Sequence, residues 1–271
     1  MKRSSIIYTI LCLLALSIVS CDKSDDPDDN DPDMVLIATA MTDAQTFQVA
    51  LYANDTLFEG YNKLYISIKE ASSTDQVTDA AIVLKPLMDM IDMVHAAPVE
   101  NPAGVANEEG LFEAAVVFIM PSTDMMGWTL DVQVETADKD ETAVFEIPLV
   151  RSLEESRKFN VISPLDETKY FVSLVEPMAA EVGINDCEFT VHYKESMMSF
   201  PPAEDLTIEI EPEMPSMDHG SPNNEHPVHT ADGHYEGKVN FTMTGWWRIH
   251  MVIKKNGDVL TDDAYIDITL E

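Results

Sequence analysis

Pro212-Glu-Met214-Pro-Ser-Met217-Asp-His219-Gly-Ser-Pro222 has a counterpart earlier in the chain, Pro86-Leu-Met88-Asp-Met90-Ile-Asp-Met93-Val-His95-Ala-Ala-Pro98. Both read Pro-x-Met and then Met-x-His-x-x-Pro, with a spacer two residues longer in the first. Self-similarity of this kind marks a chain built from copies of one unit. Working outward, Leu64-Tyr-Ile-Ser-Ile-Lys69-Glu70 answers Phe189-Thr-Val-His-Tyr-Lys194-Glu195. Gly110-Leu-Phe112-Glu113 through Val116, Phe118 and Met120 answers Gly233-His-Tyr235-Glu236 through Val239, Phe241 and Met243 without a gap. Gly127-Trp128 and Gly245-Trp246-Trp247 then each open a further run.

Those runs have a period of two. Leu64, Ile66 and Ile68 alternate with Lys63, Tyr65, Ser67 and Lys69, and Val239, Phe241 and Met243 with Lys238, Asn240, Thr242 and Thr244. Alternation over short stretches broken by Gly, Pro, Asn and Asp predicts half-buried antiparallel strands. No sustained helical period competes with it. The expectation is an all-β protein of two tandem immunoglobulin-like β-sandwiches, each about a hundred residues long. The boundaries fall at 35–150 for the first sandwich, 151–167 for a linker and 168–271 for the second.

The composition fits two packed cores: 45% of the 271 residues are apolar. The charge is lopsided, with 16 Lys and Arg against 49 Asp and Glu, a net charge of −33. Such a field repels nucleic acid and anionic lipid, so neither is an expected partner surface. Two of the three cysteines lie near the N-terminus, which leaves Cys187 without a partner and the fold without a disulfide framework. A small buried thiol is its expected role.

Residues 1–20 have the form of a secretory signal: Lys2 and Arg3, then an apolar run of 14 residues from Ile6 to Val19. Its end, Ile18-Val19-Ser20-Cys21, resembles the lipobox of bacterial lipoproteins, which implies acylation of Cys21 and a bilayer as partner. Residues 21–34 would then be a lipidated tether, with seven aspartates between 22 and 33. Composition alone makes it self-repelling and extended. It also resembles the acidic export signal of Bacteroidetes surface lipoproteins. The implied location is the outer membrane, exposed at the cell surface, with a periplasm-facing placement as the alternative.

Gly-x-Asn before the first long strand of each unit (Gly60-Tyr-Asn62, Gly183-Ile-Asn185) joins the Met-x-His stretch, Gly-x-Tyr at Gly233–Tyr235 and Phe241-Thr-Met243-Thr-Gly245-Trp246. Together these resemble the YtkA-like β-sandwich domains, similar in style to FixH and CopC-like domains. The resemblance covers about 40–150 and 168–271. The first copy departs from the pattern, with Asp after Met88 and a longer turn from Pro121 to Met126. The resemblance implies an immunoglobulin-like fold, a place outside the cytoplasm and a link to copper.

The candidate metal ligands are Met214, Met217, His219, His226, His229 and His234. Four of the seven histidines fall within this stretch. Thioether with imidazole is the ligand set of a soft or borderline ion such as Cu(I) or Cu(II). In an extended chain Met217 and His219 point the same way. If the flanking strands neighbour each other, His219 and His234 approach, with His226 and His229 on a loop above them. The plainer reading makes Met243 and Met251 core filler, His192 and His250 wet-face residues, and the loop histidines ordinary polar groups. The first copy has Met88, Met90, Met93, Met125 and Met126 but only His95, and reads as a gap-filling or partner-facing methionine patch, with thioether-held Cu(I) the other reading.

No phosphate loop, nucleophile elbow, His-Glu-x-x-His or Cys-x-x-Cys is present, so the chain reads as a non-enzyme. Two functions follow: a cell-envelope lipoprotein that binds, sequesters or hands on copper, or a structural module that displays two sandwiches to an envelope protein partner. The anchor has its own test. Cys21→Ser should abolish lipid labelling and leave the protein unprocessed or soluble; lipid labelling that survives the change would exclude acylation at this residue.

Overall fold

The computed structural model describes residues 34–90, 93–153, 156–164 and 168–271. Residues 1–33, which hold the expected signal, Cys21 and almost the whole tether, lie outside them.

The described chain is all-β. The first sandwich runs through β1 (Val35–Met41), β2 (Phe47–Ala53), β3 (Gly60–Glu70), β4 (Ala81–Asp89), β5 (Val94–Ala96), β6 (Val99–Glu100), β7 (Phe112–Phe118), β8 (Trp128–Glu135) and β9 (Asp140–Glu146). The second follows with β10 (Phe159–Ile162), β11 (Tyr170–Glu176), β12 (Gly183–Tyr193), β13 (Leu206–Met214), β14 (His219–Gly220), β15 (Glu225–His229), β16 (His234–Phe241), β17 (Gly245–Lys255) and β18 (Asp258–Leu270). The sheets are β1-β2-β3-β7-β6 and β5-β4-β8-β9 in the first half, β10-β11-β12-β16-β15 and β14-β13-β17-β18 in the second. Adding nine to each label of the first half gives the second. The order β2-β3-β7-β6 against β4-β8-β9 is that of immunoglobulin domains, in which four strands of one sheet face three of the other.

The alternation read from sequence is the pleat of the structure. Leu64, Ile66 and Ile68 are buried in one core, and Tyr235, Val239 and Phe241 in the other. Met251 is core and Met243 packs against it. Each core is centred on an indole, Trp128 or Trp247, whose Nε1–H donates to a carbonyl at 3.0 Å, that of Met120 or Met243. A buried indole needs such an acceptor. The Gly-x-Asn motif has the same job in both halves. Asn62 accepts the Phe58 N–H and donates to the carbonyls of Phe58 and Gly60, and Asn185 does likewise with Glu181 and Gly183. The glycine is required by φ of 122° at Gly60 and 123° at Gly183, a region closed to most side chains.

Two expectations need correction. The linker expected at 151–167 contains β10, which pairs with β11 and completes the second sandwich. Asn160 on this strand also brackets one residue of β18: its amide donates to the Tyr265 carbonyl at 2.7 Å and its carbonyl oxygen accepts the Tyr265 N–H at 3.4 Å. His192 is buried rather than wet, because the outer face of β11 and β12 is covered by the first sandwich. Phe159, Phe171 and Phe200, all from the second half, join the hydrophobic cluster of the first, and residues 33–271 make one compact unit.

Trp128→Ala and Trp247→Ala should each cost about 3–5 kcal/mol, as other large-to-small core changes do. Trp246→Ala, on the outer face, should cost less. With the seam intact, calorimetry should show one melting transition, lowered by either core change; two separate transitions would mean that the sandwiches unfold independently.

Candidate functional site

Of the six expected ligands, the structure gathers three. Met214 ends β13, buried in the core, and pairs across the β13–β14 hairpin with His219. Met217 lies in the intervening turn, 61% exposed, its N–H donating to the Met214 carbonyl at 3.0 Å. The His219 ring stands edge-on to Trp247 at 6.3 Å, with Nε2 3.4 Å from the Thr242 hydroxyl.

The other three are elsewhere. The excursion expected as a loop over the ion is a strand, β15, paired with β16. His226 is fixed on it by accepting the Ile210 N–H at its Nδ1, 3.1 Å away. Ile210 precedes Met214 by four residues on β13, which at about 3.3 Å per residue is roughly 13 Å. His229 is half-buried with its ring 5.3 Å from Tyr235, and its Nε2 has no hydrogen-bond partner. His234 opens β16, whereas Thr242, beside His219, follows its end; eight residues of strand separate them by about 25 Å. The flanking strands do not neighbour each other as the sequence reading required, since β14 belongs to one sheet and β16 to the other. One ion therefore cannot touch all six. Among the described residues, no three His, Cys, Asp or Glu side chains are placed to hold a metal ion.

His234 is instead the centre of the seam. Its Nδ1 lies 2.6 Å from Glu188 and its Nε2 2.9 Å from Glu100 of the first sandwich. The Tyr61 hydroxyl donates to the same Glu100 at 2.9 Å, and its ring meets the imidazole edge-on at 6.2 Å. The hydrogen bonds to Glu100 and then Glu188 push the His234 pKa up to about 10, so both ring nitrogens carry protons and both donate. Burial alone would raise Glu100; hydrogen bonds from His234 and Tyr61 outweigh it and hold its carboxyl below the usual range. Neighbouring His192 goes the other way, pushed down to about 4 by burial. An open groove of about 520 Å³ runs beside this cluster, lined by Asn54, Phe58, Tyr61, Met178, Glu188 and His234. Glu100 and Glu188 could not be singled out among 49 acidic residues, since Glu100 lies 134 residues from His234.

The other outer-face feature of note is on β17 and β18. Arg248 forms a two-pronged ion pair with Asp267 at 2.8 and 3.1 Å, lies 3.7 Å over the Tyr265 ring and 5.3 Å from the Trp246 ring centre. Trp246 remains 39% exposed. His250 is on the same face, paired with Glu213 at 2.7 Å, where a wet-face residue was expected. Cys187 is buried as expected, and burial pushes its thiol up to about 12.

Fold and site define a tandem β-sandwich protein. Within it, residues 165–252 match the family model described as YtkA-like, which places a YtkA-like domain in the second sandwich. The first sandwich repeats the same strand order but lies outside the match. No curated protein matches the chain. Among solved structures, the chain is similar to the Yersinia pseudotuberculosis adhesin InvE at 10% identity and a TM-score of 0.25, over 82% of this chain and 58% of that one. The chain thus spans little more than half of that structure, and nothing about its function follows from so distant a likeness.

The seam makes a pH prediction. Because the folded-state pKa of His234 is raised above 6.5, its contribution is complete below that value and is lost as pH rises through about 10. His234→Gln should lower stability near neutral pH by on the order of 1–3 kcal/mol, less than for a fully buried pair because the side chain keeps 18% of its exposure. In thermal melts the gap between wild type and variant should close above pH 10; a gap that persists there would show that charge is not what holds the seam.

Proposed function

We propose that this protein is a non-catalytic lipoprotein of the cell envelope, anchored through Cys21, that presents two fixed sandwiches to an envelope protein. The observation that carries the reading is the Trp246–Arg248–Tyr265 patch. Trp, Tyr and Arg are the residues that dominate binding hot spots, and here the Asp267 ion pair orders them before any partner arrives. The seam supports the same reading, because a partner that touches both halves meets one rigid surface. A surface-exposed outer-membrane location fits the expected tether, and the alternative of a periplasm-facing module uses the same patch.

A second reading, copper handling by the second sandwich, keeps one observation in its favour: Met214, Met217 and His219 share one hairpin. Its ligand set is then these three, without His226, His229 and His234. Thioethers with one imidazole suit Cu(I) better than Cu(II).

A photo-crosslinking amino acid at position 246 of the anchored protein on intact cells tests the display reading. It should give a discrete adduct with one envelope protein, weakened by Arg248→Lys and missing when the crosslinker replaces Val144, an exposed residue of the first sandwich. Equal adducts at both positions, or none at either, would overturn it.

A further inference from the structure

The His95 imidazole, in the first sandwich, is 3% exposed, and its Nδ1 lies 2.9 Å from the Ala96 carbonyl oxygen. A carbonyl only accepts, so Nδ1 carries the proton and donates. That leaves Nε2 as a bare lone pair, and this nitrogen is buried with no hydrogen-bond partner. Leaving such a group unsatisfied loses its hydration with nothing in return. An imidazole whose one N–H is held by a backbone carbonyl while the other nitrogen stays open is oriented as metal-ligating histidines are.

The residues paired with or stacked beside His95 are soft. Met88, fully buried on β4, is the cross-strand partner of His95 on one side and of Trp128 on the other. Directly opposed residues have Cβ atoms about 4.5–5.5 Å apart. The Trp128 ring centre is 5.2 Å from that of His95, at 83°. Beyond the Asp89–Val94 pair, the hairpin brings two more methionines together, since the Met90 N–H donates to the Met93 carbonyl at 2.9 Å. Strand parity puts Met90 with Met88 and Met93 with His95. Exposure rises along this row from Met88, buried, through Met90, half-buried, to Met93, 52% exposed. Methionines thus run along the hairpin from solvent to the buried Met88–His95 pair.

We propose that the β4–β5 hairpin of the first sandwich binds a soft monovalent ion, Cu(I), through His95 Nε2 and the Met88 thioether, with Met90 and Met93 passing the ion inward. The Trp128 indole beside it supplies a π face that a desolvated cation favours. Neutral thioether and imidazole ligands are poor ones for calcium or magnesium, which take oxygen. The second sandwich has the same hairpin in a weaker form. There His219 is exposed, its Nε2 faces a hydroxyl, and the spacer shorter by two residues leaves no counterpart of Met90. This inverts the ranking of the two copies that a count of histidines suggests. The site stands apart from the Trp246 patch and does not rest on the display reading.

The competing account is an Nε2–H aimed at the indole. It would turn the Nδ1 lone pair onto the Ala96 oxygen, acceptor against acceptor. The purified full chain, titrated anaerobically with Cu(I) against a competing chelator, decides between them. Wild type should bind, Met88→Leu and His95→Leu should each weaken binding by roughly 10–100-fold or more, and His219→Ala should leave the tightest site unchanged. Met88→Leu conserves volume, so its fold, checked by melting, should persist. Nitrogen NMR should show His95 Nε2 unprotonated in the free protein and shifted by Ag(I), a redox-inert probe for the same ligands. The proposal falls if Cu(I) does not bind, if His219→Ala alone removes binding, or if Nε2 is found protonated.

Discussion

The polar centre of the contact that joins the two repeats is a cation placed between two carboxylates. Outer sheet faces of neighbouring sandwiches are ordinarily wet, and this chain's acidity works against pressing two of them together. At the seam, Glu100 and Glu188 would repel each other across the contact. His234 removes the repulsion by holding both protons, one toward each acid. The hydrophobic part of the seam, Phe159, Phe171 and Phe200, can then exclude water without leaving uncompensated charge behind, the condition under which burying ionised groups is tolerable.

The fold was legible because period two and the duplication agree. Either signal alone is ambiguous for runs of this length, but two copies of the same alternation with the same glycines and indoles leave few topologies. The seam was not legible, for a reason specific to strands. Alternation reports which face is apolar and takes the other to be wet, so His192, on the polar parity of β12, reads as a solvent residue. Its burial depends on what another sheet lays over it. β10 was missed because it is an edge strand of four residues in a polar segment, too short for its alternation to show that it answers β1.

The candidate site was half legible. Spacing identified Met214, Met217 and His219 as neighbours, since a hairpin is a local structure. His226, His229 and His234 were close only in sequence: β15 carries the first two along the sandwich and β16 starts at the far end. Counting histidines therefore favoured the second copy, whereas the open imidazole nitrogen whose residue is paired across the hairpin with a buried methionine is in the first. What sets His95 apart is one carbonyl, that of Ala96, and no pattern of residue types encodes which nitrogen it takes.

Asn160 has a consequence for life in a crowd. Wherever copies of a chain meet, an unpaired strand edge is where they join. By spending both ends of its amide on Tyr265, Asn160 occupies the donor and acceptor that an incoming strand would need at that residue of β18. The side chain acts as a one-residue dummy strand. It leaves the outer face of the sheet open while closing this point of its rim to an incoming strand.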